Sequence, residues 1–252
     1  VHDEGIAIPI LLGNKDMIQA HMKEIGLEGE FEIIDPKTSA CLAQLNAYAE
    51  LYWKDNQRKG VTLIEAKKTM RERNYFASMM VNSGDADAMI TGYTRNYASS
   101  IKPLFDTIGK QNGVSRIAAC NLMLTKRGPL FLSDTTVNID PNPGQLAKIT
   151  QMTTDVAKMF GVNPVVAMLS FSNFGASKSQ KSTKVEEAVN ILHKSNPEMV
   201  VDGPIQADFA MNSEMLDDKF SFSSLAGKKP NVLIFPNLDA ANISYKMMKE
   251  LN

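Results

Sequence analysis

Four polar stretches of this sequence combine cations, hydroxyl groups, amides and glycines, which are the residue types that bind phosphate and other anions. Arginine and lysine form charge-assisted hydrogen bonds to phosphate oxygens, and the planar guanidinium of arginine can donate two at once. Each stretch is predicted to follow a strand or to begin a helix. The stretches are QRKGVT (57–62), GYTRNYASSIK (92–102), SFSNFGASK (170–178) and FPNLDAAN (235–242). If the fold brings them together, they predict an anion-binding cleft.

The cations of these stretches also have a purely structural interpretation. Arg58 and Lys59 suit a solvated helix start, and Arg95 and Lys102 suit ordinary surface charge. Each stretch alone is a weak signal, so both interpretations stay open at this level.

The segment from Met168 to Ser179 changes abruptly from apolar to polar residues. The run VNPVVAMLSFS is a short apolar block, which is typical of a strand covered on both faces of a parallel sheet. The following KSTKVEEAVNILHKSN has apolar residues at helical spacing. Loops at the carboxyl ends of parallel strands and the amino termini of helices commonly bind anions. We therefore predict a ligand loop, with a capped, solvated turn as the alternative.

The rest of the chain alternates between strand-like and helix-like segments. IPILL and FEIID are predicted strands around the helix DMIQAHMKEIG, and KGVTLIEAKKTMRERNYFASMMVNSG is a long amphipathic segment that contains a Thr62–Glu65 capping box. DADAMITG is predicted to be a short buried strand, and residues 96–109 a partial helix with Pro103 near its first turn. A hairpin with a Lys-Arg-Gly turn, a Pro-started helix and further strand-to-helix units follow.

This alternation predicts an α/β fold with mainly parallel sheets. The hairpin after Gly109 is the best position for a change of domain, so we expect a first domain over residues 1–110 and a second over 111–252. Because no tract rich in Pro, Gly or Ser separates them, the two domains are expected to be closely joined.

Composition excludes several classes of function. With 27 basic and 28 acidic residues among 252, the formal net charge of −1 gives no reason to expect nucleic acid binding. Cys41, Cys120 and three scattered histidines form no metal-binding pattern. No apolar run is long enough for a membrane span and no signal sequence opens the chain, so we expect a cytoplasmic protein. The motifs GxGxxG, GxxxxGK[ST], GxSxG and HExxH are absent.

Taken in order, QRKGVT, DADAMITGYTRNY, SFSNFG, VDGPIQAD and NVLIFPNLDAANISYK resemble the phosphate acetyltransferase/butyryltransferase family. The combination of RKGVT, RERNYFASMMV, GDADAMITGYTRNY, SDTTVN and AMLSFSNFG is closer to the phosphotransacetylase-like carboxy-terminal domain of large NADP-dependent malic enzymes. The resemblance implies two α/β/α domains of the isocitrate/isopropylmalate dehydrogenase-like type, with a CoA-ester site in the cleft between them. It also implies a homodimer or higher homo-oligomer, and a first domain that lacks its N-terminal part and its return segment.

The resemblance implies a ligand site but assigns no catalytic residue to this chain. Family members carry the serine and aspartate of catalysis in a motif beyond the segment matching NISYK, and an acid where this chain has Pro204. Lys102 stands where phosphotransacetylases have an arginine, so it loses the bidentate fork. Asp202 and Asp208 are expected to cap the following helix. The expected ligand residues for a CoA ester or phosphate are Arg58, Lys59, Thr94, Lys102, Ser170, Ser172, Asn173, Gly175, Asn237 and Asn242.

Malic-enzyme relatives use this domain as a sensor, so the resemblance implies an acetyl-CoA-binding regulatory and oligomerisation domain. Upstream domains with NADP and a divalent metal would convert malate to pyruvate, and no cofactor or metal is expected in this domain itself. The first alternative is an active phosphate acetyltransferase, which exchanges acetyl-CoA and phosphate for acetyl phosphate and CoA, with its last catalytic segment outside this chain. The second is a packing module without a ligand.

Overall fold

The computed structural model describes residues 1–112 and 114–251. The chain divides into two compact units, Val1–Asn112 and Gly113–Asn252. Each unit has parallel strands, helices and an apolar core of its own. Among the helices in the described ranges, none combines the length and the apolar character that crossing a membrane requires.

The first unit opens with a β–α–β motif, as predicted. Strands β1 (Ile10–Leu12) and β2 (Glu32–Ile34) pair in parallel, and helix α1 (Lys15–Glu24) joins them. The Asn14 side chain caps α1 because it accepts a hydrogen bond from Met17 N, 3.0 Å away. The helices that follow are α2 (Leu42–Asn56), α3 (Leu63–Thr69), α4 (Arg73–Ser83) and α5 (Tyr97–Thr107).

Helices α2, α3 and α4 form the core of this unit. Ala49 of α2, Ala66 of α3 and Phe76 of α4 are completely buried. The predicted capping box at the start of α3 is confirmed, since the Thr62 side chain accepts from Glu65 N and the Glu65 side chain accepts from Thr62 N. The cap fixes where α3 begins, directly after the turn that carries two of the predicted ligand residues.

The long amphipathic segment forms two helices, because the Glu72 side chain starts a new one by accepting from Asn74 N and Tyr75 N. Two expectations for the first unit are wrong. Pro103 is buried in the middle of α5 and not near its first turn, so the helix tolerates one missing N–H donor there. DADAMITG is not a strand, and Ile90 is fully exposed, because neither strand of the β1–β2 sheet pairs with it.

The second unit contains a five-stranded sheet with the order β3-β4-β7-β5-β6. Strands β3 and β4 form the predicted antiparallel hairpin, and β4, β7, β5 and β6 are parallel. The strands are β3 (Cys120–Thr125), β4 (Gly128–Ser133), β5 (Val166–Leu169), β6 (Val201–Ile205) and β7 (Val232–Ile234). The helices are α6 (Pro143–Met159), α7 (Gln180–Ser195), α8 (Ala207–Met211), α9 (Ser213–Lys219) and α10 (Leu238–Leu251).

Side chains of the central strands alternate between two apolar layers. Val166 and Met168 of β5 pack with α6 and α7, while Ala167 and Leu169 pack with α8, α9 and α10. All four are buried, as predicted for a strand covered on both faces. The mixed α/β architecture with a mostly parallel sheet confirms the predicted fold class. Because β5 leads to α7 and β7 leads to α10 on the opposite face, a ligand crevice is expected where these adjacent strands end.

Gly203 of β6 lies so close to β5 that a side chain cannot fit. Its φ is 149°, and a Cβ atom there would be 2.4 Å from Met168 O and 2.9 Å from Met168 Cβ. We expect Gly203→Ala to lower the free energy of unfolding by at least about 3 kcal/mol in chemical denaturation, because the backbone of β5 or β6 must shift.

Gly161→Ala is the matched control for this substitution. Gly161 also has a positive φ, of 71°, but nothing lies within 4 Å of the added Cβ. The strained backbone alone should cost roughly 1 to 2 kcal/mol there. Equal losses for the two variants would contradict the close approach of β6 to β5.

Candidate functional site

The structure divides the ten predicted ligand residues between the two units. The first unit contains Arg58, Lys59, Thr94 and Lys102. The second contains Ser170, Ser172, Asn173 and Gly175 after β5, and Asn237 and Asn242 after β7. Because β5 and β7 are hydrogen-bonded neighbours, this second group lies at the carboxyl edge of one sheet. The ligand role of all ten residues stays a prediction.

The loop after β5 is held by side-chain hydrogen bonds. Asn173 Nδ2 donates to Gln206 Oε1 and Gln206 N donates to Asn173 Oδ1, each over 2.7 Å. Gln206 Nε2 also donates to Phe171 O over 2.8 Å. The buried Ser172 Oγ accepts from Ser177 N over 2.9 Å. Ser172 and Asn173 therefore fix the shape of this loop.

Asn237 and Asn242 also have structural partners. Asn237 Oδ1 accepts from Ala240 N over 2.9 Å and so caps the start of α10. Asn242 Nδ2 donates to Thr135 O over 3.1 Å, which connects α10 to the loop after β4. The loops after β4 and β7 are thereby fixed to each other.

A cavity of about 550 Å³ lies where helices α6 and α7 begin. Lys184 Nζ, in its wall, donates to Asp140 Oδ1 over 2.5 Å and to Pro236 O over 2.8 Å. Two helix amino termini, Lys178 and Lys184 favour an anion in this cavity, whereas the carboxylates of Asp140 and Glu187 oppose one. The cavity lies beside the loop after β5, but none of the ten predicted ligand residues lines it.

Two carboxylates of this unit accept hydrogen bonds from the protein itself. Asp134, which is 3% exposed, accepts from the main-chain N–H groups of Ala119, Thr136, Val137 and Asn138. Asp202 accepts from Gly203 N, Ser223 Oγ and Ser224 N. Asp202 therefore does not cap α8, contrary to expectation, because its oxygens hold the loop at 223–224. Gln206 occupies the cap position, and Asp208 lies in the first turn of α8.

In the first unit, Lys59 and Lys102 belong to one hydrogen-bonded network. Lys102 Nζ donates to Asp106 Oδ2 over 2.5 Å, and the Tyr75 hydroxyl donates to the same oxygen over 2.6 Å. Lys59 Nζ donates to Asn56 Oδ1 over 2.8 Å, and Asn56 Nδ2 donates to Asp106 O over 3.3 Å. Sequence reasoning missed Asn56, Tyr75 and Asp106, although the i,i+4 spacing of Lys102 and Asp106 was an available signal.

This network shifts the pKa of its members. Burial alone would raise the pKa of Asp106, but hydrogen bonds from Lys102 and Tyr75, with the charges of Lys102 and Lys59, lower it. Chiefly the hydrogen bond to Asp106 raises the pKa of Lys102. Burial, and then the hydrogen bond donated to Asp106, raise the pKa of Tyr75 to about 12. Asp106 is therefore a carboxylate and Lys102 an ammonium at neutral pH.

One buried hydrogen-bond donor of α4, next to the loop before α5, has no partner among the described residues. Arg95 Nη1 lies 2.5 Å from Glu72 Oε1, so this arginine is paired with the acid that caps α4. Asn74, only 8% exposed, accepts from Thr91 Oγ1 through Oδ1, but its Nδ2 has no partner among the described residues. Thr94 is exposed in this loop, and so is Arg58 in the turn after α2. An oxygen of a ligand would satisfy the Asn74 donor.

Within residues 1–112 and 114–251, no three His, Cys, Asp or Glu side chains come together as a metal site.

The whole chain, residues 1–252, matches the family described as Phosphate acetyl/butaryl transferase. The chain belongs to this family. The resemblance inferred from the motif order is thereby confirmed.

Members of the phosphate acetyl/butyryl transferase family similar to this chain include two kinds of protein. The chain is 35% identical over 254 residues to an NADP-dependent malic enzyme of Haemophilus influenzae, a match that covers 97% of the chain and 32% of that enzyme. It is 35% identical over 246 residues to the phosphate acetyltransferase of Bacillus subtilis, with 96% and 74% covered. The chain thus spans about a third of the length of the malic enzymes that it matches.

A solved relative confirms the fold of this family member. A phosphotransacetylase from Streptococcus pyogenes superposes with a TM-score of 0.85 and 33% identity, which covers 99% of this chain and 75% of that chain. The fold of this chain is therefore similar to that of a phosphotransacetylase.

The lowered pKa of Asp106 predicts a pH dependence of stability. A carboxyl whose folded pKa lies below its unfolded value of about 3.9 stabilises the fold above that pH. The stabilisation is lost as the pH falls through the folded pKa. In urea unfolding at a series of pH values, the difference in free energy of unfolding between the wild type and Asp106→Asn should therefore shrink on acidification.

Asp16→Asn is the control for this titration. Asp16 is an exposed acid of α1 in the same unit. A difference that stays constant for Asp106→Asn, or that changes equally for both variants, would contradict the Lys102–Asp106–Tyr75 network.

Proposed function

We propose that this chain is a phosphotransacetylase-like domain that binds acetyl-CoA and regulates an NADP-dependent malic enzyme to which it belongs. The observation that carries the proposal is the match to malic enzymes, which takes in 97% of the chain but only about a third of those enzymes. These malic enzymes therefore contain a region similar to this chain, and a larger region that the match does not cover.

The charges of the described residues favour a phosphorylated ligand. Acetyl-CoA carries a diphosphate and a ribose phosphate, and phosphate oxygens accept hydrogen bonds from lysine, arginine and helix amino termini. Arg58, Lys59 and Lys102 supply cations in the first unit. The starts of α6 and α7 with Lys178 supply positive charge beside the 550 Å³ cavity in the second. The unpaired donor of Asn74 is a further group that a ligand oxygen would satisfy.

Binding and regulation require less chemistry than acyl transfer. Acyl transfer to phosphate needs a base for the CoA thiol and groups that stabilise charge on the carbonyl oxygen. Asp134 and Asp202 already accept several internal hydrogen bonds, and Lys102 is paired with Asp106. A regulatory ligand only has to bind one conformation more tightly than another. The described residues therefore favour a sensor.

In this proposal the other domains of the protein carry out the oxidative decarboxylation of malate to pyruvate. They hold NADP and a divalent metal, whereas this domain binds acetyl-CoA and contributes to a homodimer or larger homo-oligomer. The proposal also includes the two predicted α/β domains, over residues 1–110 and 111–252, and action of the protein in the cytoplasm. None of these functions requires a metal or cofactor within this chain.

An active phosphate acetyltransferase is the second candidate. It is favoured by the 35% identity to the Bacillus subtilis enzyme, three quarters of which is covered, and by the TM-score of 0.85 to a solved phosphotransacetylase. In this case the protein would convert acetyl-CoA and phosphate to acetyl phosphate and CoA.

One experiment on the full-length protein separates these candidates. Malate-dependent reduction of NADP is measured with and without acetyl-CoA, and acetyl-CoA formation from acetyl phosphate and CoA is measured in the same preparation. Malate oxidation that acetyl-CoA changes, without transferase turnover, supports the sensor. Transferase turnover without malate oxidation overturns the sensor proposal. An intact oligomer that binds no acetyl-CoA in calorimetry supports a packing module without a ligand.

Arg58→Ala tests the charged contact in the proposed site. A lost charge-assisted hydrogen bond costs about 1 to 3 kcal/mol, so the affinity for acetyl-CoA should fall roughly 5- to 150-fold in isothermal titration calorimetry. Arg71→Ala, which removes another exposed arginine of the same unit, should leave the affinity unchanged. An unchanged affinity in Arg58→Ala would remove Arg58 from the site.

A further inference from the structure

Asp106 is an acid placed among the cations of the proposed ligand site. We propose that its carboxylate acts as an internal counter-anion that competes with the phosphate of a ligand for Lys102, and so limits the affinity of the site for anions. The inference rests on the proposed function, because it concerns the same site. It adds a residue that determines how strongly, and at what ionic strength, a phosphorylated ligand binds.

The first step is the set of hydrogen bonds made by Lys102. An ammonium group has three N–H donors. One points to Asp106 Oδ2 at 2.5 Å and a second to the Tyr75 hydroxyl at 3.3 Å. The lysine side chain is 67% exposed and that of Asp106 only 26%, so the ammonium is still accessible to a ligand. A phosphate can therefore approach Lys102, but it meets an ammonium whose charge is already neutralised by a close carboxylate.

The second step is the position of Lys59. The buried Asn56 accepts from Lys59 Nζ and donates to the main-chain oxygen of Asp106, so one amide fixes both residues. Through Asn56, Lys59 is held close to the residue whose carboxylate pairs with Lys102, and the charge of Lys59 contributes to the lowered pKa of Asp106. The group of three contains one carboxylate and two ammonium groups. Neutralisation of the carboxylate would raise the formal charge of the group from +1 to +2.

The third step is the expected size of the effect. A like charge about 5 Å from a ligand anion repels it by an amount that depends on the local dielectric, and partial exposure places this site near the aqueous limit. Removal of the carboxylate charge should therefore strengthen anion binding by roughly 3- to 30-fold at low ionic strength. If Asp106 only stabilised α5 through an i,i+4 pair, its replacement would not strengthen binding at all.

The test is titration of the full-length protein with inorganic phosphate and with acetyl-CoA, at low and at high salt. Asp106→Asn and Asp106→Ser both remove the charge, so the test does not depend on one variant. Tyr75→Phe removes a hydrogen bond to the same carboxylate and keeps the charge, and Asp16→Asn removes a remote exposed charge of the same unit. We expect tighter binding and a steeper salt dependence only in the two Asp106 variants.

The outcomes separate this inference from the proposed function. If the wild type binds the ligand and both Asp106 variants bind it with the same or lower affinity, Asp106 does not act as a counter-anion. The proposed ligand site is then still supported. Binding only by the Asp106 variants supports the counter-anion in its strongest form. If Asp16→Asn gains as much affinity as the Asp106 variants, the gain comes from the net charge of the protein, and the inference is overturned. If neither the wild type nor any variant binds a ligand, both proposals are overturned.

Discussion

Burial of the central strands on both faces is the constraint on which the second unit depends. Strand β5 has no exposed side chain, so helices must cover the sheet on both sides, and each parallel strand must be followed by a connection that returns over one of these faces. The strand-to-helix loops then lie at a single edge of the sheet. Polar residues that are far apart in sequence, after β4, β5, β6 and β7, meet there because the apolar ones between them have to be buried.

The polar groups at that edge are used first to hold the loops. Asp134 accepts several N–H donors, Asn237 caps a helix, and Lys184 links the loops after β4 and β7. Such groups would be costly to bury unpaired, so their hydrogen bonds are a condition of the fold. The groups at this edge that could still interact with a ligand are the positive ends of helices and the exposed cations.

The sequence was informative wherever a local pattern decides the structure. The apolar run of β5, the Thr62–Glu65 capping box and the hairpin between β3 and β4 were all predictable, because each depends on neighbours within a few residues. DADAMITG was not, since a strand also needs a partner from elsewhere in the chain. The same limit applies to the site. The Lys102–Asp106 pair follows from helical spacing, but Tyr75 and Gln206 reach their partners across about 30 residues, which no local pattern specifies.

The reciprocal amide pair between Asn173 and Gln206 has a consequence for the loops after β5 and β6. Each loop supplies one donor and one acceptor, and neither amide gains or loses a proton in water at any ordinary pH. A carboxylate in place of either amide would make these hydrogen bonds depend on pH, because it gains a proton on acidification. With an amide at both positions, the hydrogen bonds between the two loops do not depend on the protonation of either side chain.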